Sequence, residues 1–165
     1  MRVLAAGIGN VFFGDDGFGV EVADRLAGAP MPDGVRLGEY GIRGIHLAHE
    51  LLDGYDVLVL VDALPLGEAP GTVAVLEVDP ADVAAGGLPA LDAHAMSPAV
   101  VLGLLAGLGG RVGRVLVVGC EPAVIDVGMG LSPPVAAAVD AAVGLVEEVL
   151  AELRPPAAVP GREER

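Results

Sequence analysis

Tryptophan is absent from these 165 residues, cysteine occurs once, and aromatic residues make up only 3% of the chain. The lone Cys120 excludes an internal disulfide, as expected of a reducing compartment, so the expected location is the cytoplasm. Basic residues are also scarce: 9 Lys and Arg stand against 23 Asp and Glu, for a net charge of −14. That balance argues against nucleic acid and anionic membranes as partners. No apolar run is long enough to span a bilayer; the apolar stretch with helical spacing at residues 95–110 is too short and is cut by glycines. The chain opens with one Arg and a short apolar run ending in glycines, so no secretory leader is read there. With so few large side chains, the core has to be built from the Ala and Val that dominate a 53% apolar composition, as many small contacts.

What is present is alternation. Short apolar runs read as strands at residues 2–6, 35–39, 57–61, 72–78 and 114–119. Amphipathic segments at 18–26 and 45–52 read as helices. Ser97-Pro98 and Ser132-Pro133 open two more, reaching to about 108 and 153, because Ser caps a helix and Pro suits its first position. The 57–61 run, VLVLV, is apolar on both faces, which requires helices on both sides of it. The pattern predicts an α/β/α three-layer sandwich around a five-stranded twisted sheet. Runs 57–61 and 72–78 follow each other with no helix between them, so a hairpin and a mixed sheet are expected. Residues 1–153 form one domain in this reading, and 154–165, rich in Pro and charge, form a disordered tail.

The chemistry-bearing stretch is residues 3–19, VLAAGIGNVFFGDDGFG. An apolar strand runs into Gly7, Gly9 and Asn10, then a short apolar loop of Val11, Phe12 and Phe13, then two adjacent carboxylates, Asp15 and Asp16. One reading is helix capping by an Asp with glycines supplying positive φ. A dinucleotide loop is a second, but Phe12 stands where the third glycine belongs, and carboxylates repel a pyrophosphate at a helix N-terminus. Paired carboxylates suit a cation or a general base better. In open α/β sheets, sites form outside the carboxyl ends of strands. Asp16 follows the first strand, Asp62 ends the third, and His94 precedes the Ser97 helix, so the three are expected to meet at one sheet edge. Two carboxylates and an imidazole make a mixed O/N set for a divalent metal with open positions, and Ni²⁺, Zn²⁺ and Fe²⁺ all fit. His46 and His49, at i and i+3, read as an exposed helix face. Cys120 reads as a packing residue rather than a nucleophile paired with His94. Glu121 is a spare acid nearby, and Asp15 reads as a cap or a supporting partner.

Five segments together carry a family resemblance: GIGNVFFGDDGFGV at 7–20, the apolar strand ending in Asp62-Ala63, HAMSP from His94, VVGCEP at 117–122 and GLSPPV at 130–135. The chain resembles the maturation endopeptidases of nickel–iron hydrogenases over nearly its whole length, to about residue 153. The resemblance implies an enzyme that trims the C-terminal extension of a hydrogenase large-subunit precursor after nickel insertion. It implies that Asp16, Asp62 and His94 are the working residues, binding nickel carried by the substrate, so that the free protein needs no permanently bound metal. At 38–44, GEYGIRG, the chain departs from relatives that carry Gly-Gly-Thr, and this segment is expected to bear on which target is processed. Water activation is left open between a metal-bound hydroxide and a carboxylate. Two rivals stand beside this reading. One is a non-catalytic nickel-binding chaperone using the same three ligands. The other is a dinucleotide-binding oxidoreductase with Glu39 on the ribose.

Overall fold

A computed structural model of the chain describes residues 1–85 and 96–154. Five strands, β1 (Val3–Ile8), β2 (Val35–Gly41), β3 (Val57–Ala63), β4 (Val73–Val78) and β5 (Arg114–Cys120), form one sheet in the order β2-β1-β3-β5-β4. The helices are α1 (Phe18–Leu26), α2 (Gly44–Leu51), α3 (Pro80–Ala84), α4 (Pro98–Gly107) and α5 (Pro133–Glu152). A single 3₁₀ turn, Gly14–Gly17, separates β1 from α1. Among the described residues no helix is long and apolar enough to cross a membrane.

The strand sequences explain the three layers. Every residue of β1 and β3 is buried, so alternate side chains must meet apolar surface on both faces. Val3, Ala5, Val57, Val59, Leu116 and Val118 point to one face and pack with α1 and α5. Leu4, Ala6, Leu58, Leu60, Val115 and Val117 point to the other and pack with α2 and α4. Helix α1 contributes Phe18, Val22 and Leu26, all fully buried, each worth about 1.5–3 kcal/mol of transfer free energy. Arg25 of α1 reaches Asp140 of α5 at 2.6 Å, a surface pair that orients the two helices but adds at most about 1 kcal/mol. The expected elements are therefore present, and the sheet is mixed.

The expected β3–β4 hairpin is not. Strand β5 lies between them, parallel to β3 and antiparallel to β4. The sequence of β5 gives the reason: Val115 to Cys120 are all buried, so β5 needs neighbours on both edges and layers on both faces. Strand β4 is only half-buried and suits the edge, where its Glu77 forms a two-point pair with Arg114 of β5 at 2.6 and 3.0 Å. Residues 64–72 cross the end of β5 to reach that edge. They are pinned there by Leu64 N–H to the Cys120 carbonyl and Gly71 N–H to the Glu121 carbonyl, each at 2.9 Å. The Glu121 carboxylate accepts the Leu66 N–H in addition. Glu121 thus serves the crossover loop.

Strands β1, β2, β3 and β5 run parallel, so their carboxyl ends share one edge of the sheet. From β1 the chain moves to β2 on one side; after β2 it returns past β1 to β3 on the other. The reversal places the switch point between β1 and β3, the crevice where open α/β sheets receive ligands. Helix α1 starts directly over that crevice because it has glycines there. A Cβ on Gly19 would stand 2.1 Å from the Val61 carbonyl oxygen and 2.4 Å from that of Ile8, and one on Gly7 would stand 2.2 Å from the Gly19 carbonyl oxygen. All three contacts are with backbone and cannot yield cheaply. Gly19→Ala is therefore expected to lower unfolding stability by at least about 2 kcal/mol, read by urea denaturation, whereas Gly28→Ala, with open space around it, should be close to neutral.

Candidate active site at the β1–β3 crevice

The turn after β1 bends its chain back over Gly9. Gly9 has φ +127°, and a Cβ there would stand 2.0 Å from the Asp16 carbonyl oxygen and 3.7 Å from its carboxyl carbon. Asp16 is thereby laid against the end of β1, 2% exposed, with one carboxylate oxygen accepting the Asn10 N–H at 2.8 Å. Asp62 comes from the neighbouring strand, one residue beyond the Gly7–Val61 register pair, and is equally buried. Its Oδ1 has no hydrogen-bond partner among the described residues. Burial pushes the Asp62 carboxyl well above its usual range, and the neighbouring Asp16 charge raises it further, against a smaller opposing effect of the Ala63 N–H. Asp16 and Asp62, 46 positions apart in the chain, are thus brought into one another's field. His94 lies outside the described residues. Met96, two positions after it, packs against Gly44 at the start of α2.

Of the two readings for Asp15, a cap or a supporting partner, the structure gives the second, with partners the sequence did not indicate. Neither Asp15 nor Asp16 caps a helix through its side chain; the cap positions are Phe13 and Gly17. The Asp15 carboxylate instead reaches across to the segment after β5. It accepts the N–H groups of Ala123 and Val124 at 2.8 Å each and of Ser132 at 2.7 Å, and the Ser132 hydroxyl at 2.8 Å. Burial works to raise the Asp15 carboxyl, but the donors from Val124, Ser132 and Ala123 outweigh it and hold the group below its usual value. Ser132 was expected to cap α5; its hydroxyl is committed to Asp15, and it makes no side-chain cap bond. Ser97 does cap, accepting the Val100 N–H at 3.3 Å. The Asp15 contacts span more than a hundred residues, so no local pattern could disclose them; the only signal was the Asp-Asp pair itself.

The remaining candidates sort plainly. Cys120 is fully buried, and burial, followed by the charges of Asp15 and Glu121, pushes its thiol up to about 11, so it is a protonated packing group. His46 and His49 are both exposed on α2, and no group of three His, Cys, Asp or Glu able to hold a metal exists among the described residues. Glu39 is paired with Arg43 at 3.6 Å. The Asn10 N–H, which a dinucleotide loop would offer to phosphate, is taken by Asp16. Gly41, Ile42 and Arg43, from the segment that departs from the expected Gly-Gly-Thr, line a groove with Asn10 and Phe12 beside the site.

A family model described as hydrogenase maturation protease matches residues 20–149. The chain belongs to the hydrogenase maturation protease family. This family member is 35% identical to a putative hydrogenase maturation protease of Methanocaldococcus jannaschii, over 92% of its own length and 96% of the relative's. It is 31% identical to the hydrogenase 2 maturation protease of Escherichia coli K12, over 93% and 92% of the two chains. Its fold superposes on the E. coli hydrogenase maturating endopeptidase HybD with a TM-score of 0.77 at 27% identity, covering 92% and 93%. A hydrogenase 2 maturation peptidase from a thaumarchaeote gives 0.68 at 33% identity, covering 92% and 99%. The α/β fold and the family expected from the five sequence segments are both observed.

Two measurements check the site's internal chemistry. Asp15→Ala removes the shared acceptor of three partly buried N–H groups and should cost about 2 kcal/mol or more in urea unfolding at pH 7. Because the Asp15 carboxyl is held low, the wild-type advantage over this variant should be full above the ordinary carboxylate value near 3.8 and shrink as pH falls from there through the lower folded value. Cys120 should resist iodoacetamide at pH 8 in the native protein and react once urea unfolds it.

Proposed function

We propose that this family member is an endopeptidase that removes the C-terminal extension of a nickel-loaded hydrogenase large-subunit precursor, with Asp16, Asp62 and His94 gripping the nickel that the substrate brings. The observation that carries the reading is the burial of Asp16 and Asp62 side by side at the switch-point crevice, with an Asp62 oxygen that meets no partner among the described residues. Two buried carboxylates in each other's field are a poor arrangement for stability and a good one for a divalent cation. The donor set is oxygen and nitrogen, suited to Ni²⁺ at moderate strength, which serves inspection and release better than permanent retention.

The roles follow from the environments. Asp16 is fixed by the Asn10 N–H, so one carboxylate oxygen is oriented before substrate arrives. Asp62 keeps a proton more readily than an ordinary Asp, and the cation displaces it on engagement. His94 contributes a neutral ring nitrogen. The grip fixes the precursor so that its scissile peptide is presented to water beside these carboxylates. The chaperone rival uses the same ligands and differs in outcome: it binds nickel-bearing precursor and leaves its mass unchanged.

Incubating the chain with nickel-loaded and nickel-free precursor and weighing the products separates these readings. Shortening of the nickel-loaded form alone is expected; unchanged mass for both defeats the endopeptidase reading. Asp16→Ala and His94→Ala should each lower processing at least a hundredfold while melting normally. The pH dependence has a definite sign. The site works with Asp62 and His94 deprotonated, and Asp62 is raised, so processing should fall on acidification at a higher pH than an ordinary carboxylate would give. In the free protein the raised carboxyl stabilises the fold while protonated, and that contribution is lost as pH climbs from its unfolded value near 3.8 through the folded one. The Tm of Asp62→Asn relative to wild type should therefore increase between pH 4 and pH 8.

A further inference from the structure

We propose that the two loops flanking Asp16, residues 11–14 and 122–131, form a preorganised apolar docking ridge for the folded body of the hydrogenase large-subunit precursor. This deepens the function proposed above and rests on it.

The ridge is built, not incidental. Gly14 N–H bonds to the Gly128 carbonyl, and Gly128 N–H bonds to the Phe12 carbonyl, both at 2.8 Å; Asp15 N–H bonds to the Val124 carbonyl at 2.9 Å. Phe13 and Gly128 form an isolated parallel bridge. The buried Asp15 carboxylate locks the same two segments from below, through Ala123, Val124 and Ser132. Loops cross-braced in this way hold a fixed shape before any partner arrives.

What they present outward is apolar. Phe12 is 60% exposed, Val127 80% and Met129 74%, with Phe13 and Val124 beside them. These five are half of the ten exposed large apolar side chains among the described residues, drawn from two short loops that bond to each other. Exposed apolar surface gathered in this way marks an interaction site, whereas scattered single residues do not. The ridge is also nearly free of charge. Residues 122–131 hold one ionisable side chain, Asp126, and its Oδ1 accepts the adjacent Val127 N–H at 2.8 Å. In a chain of net charge −14 this is a neutral window.

The occupant follows from position and charge. Asp16 follows closely on the Phe12–Gly14 loop, and that loop is bonded to Gly128 between Val127 and Met129, so a protein whose tail reaches Asp16 brings its body beside this ridge. A second copy of this chain would bring two bodies of −14 together around the contact, which opposes self-association. The partner surface expected is therefore an apolar patch beside the precursor's C-terminal extension.

The test uses the full-length chain and a nickel-loaded nickel–iron hydrogenase large-subunit precursor from its own organism. The triple variant Phe12→Ser/Val127→Ser/Met129→Ser is compared with a control, Ile45→Ser/Leu52→Ser/Leu108→Ser, which alters exposed apolar residues elsewhere. Both should melt like wild type. The ridge variant should raise KM for the precursor at least tenfold with kcat within twofold, and the control should change neither. An unchanged KM, or an equal rise in the control, overturns the proposal. So does a ridge variant that alters the sedimentation of the chain alone while precursor affinity holds. If wild type binds the precursor without shortening it, the endopeptidase reading fails and the ridge is judged on equilibrium affinity alone. A tenfold loss in the ridge variant then supports docking, and equal affinity overturns it.

Discussion

Two buried carboxylates share the crevice between the carboxyl ends of β1 and β3, and the surrounding architecture keeps them there. Burial alone disfavours an ionised Asp62, and Asp16 beside it makes ionisation harder still. Left to side-chain preference, such a pair would turn outward to water. It is held inward because both residues belong to closely packed backbone. Asp62 lies within a strand buried along its whole length. Asp16 sits on a turn pressed against β1 through Gly9 and continued by a helix pressed against β3 through Gly19. The penalty of burying the pair is met by the apolar core around it.

The adjacent acids of the first loop divide the labour by environment. Asp15 and Asp16 are consecutive and both buried, yet Asp15 is saturated with donors from residues 123–132 whereas Asp62, facing Asp16, keeps an oxygen without a partner among the described residues. Asp15 is therefore a fastener between two segments, whereas Asp16 lies in the field of the buried Asp62. The same contrast applies to Glu121, whose carboxylate is committed to the backbone of the crossover loop, and to Cys120, which packs as a protonated thiol. Asp15, Glu121 and Cys120 all lie near the crevice, and each is already committed to structure.

Much of this was legible in the chain because the periodicities are clean. The VLVLV run, the Phe18–Val22–Leu26 spacing and the Ser97-Pro98 start each act locally, and each appears where the residues place it. The meeting of Asp16 with Asp62 was also legible, because strand carboxyl ends collect on one edge of a parallel sheet. What was not legible depends on distant partners. The insertion of β5 between β3 and β4 turns on which strand is buried on both faces, and two apolar runs of similar length do not declare that. The Asp15 clamp needs donors more than a hundred positions away, and Ser132 gives up its capping role to supply one of them. His94 was readable as a candidate from its place before the Ser97 helix, and it lies outside the described residues.

The placement of β5 between two earlier strands also fixes an order of events during synthesis. A nascent chain that has released residues 1–85 can pair β1 with β2 and β3, but β4 has nothing to join until Arg114–Cys120 emerges. The far edge of β3 stays open through that interval, and the segment that fastens Asp15 arrives later still. The two acids of the crevice are thus translated early, yet their scaffold closes only when the last third of the polypeptide has left the ribosome.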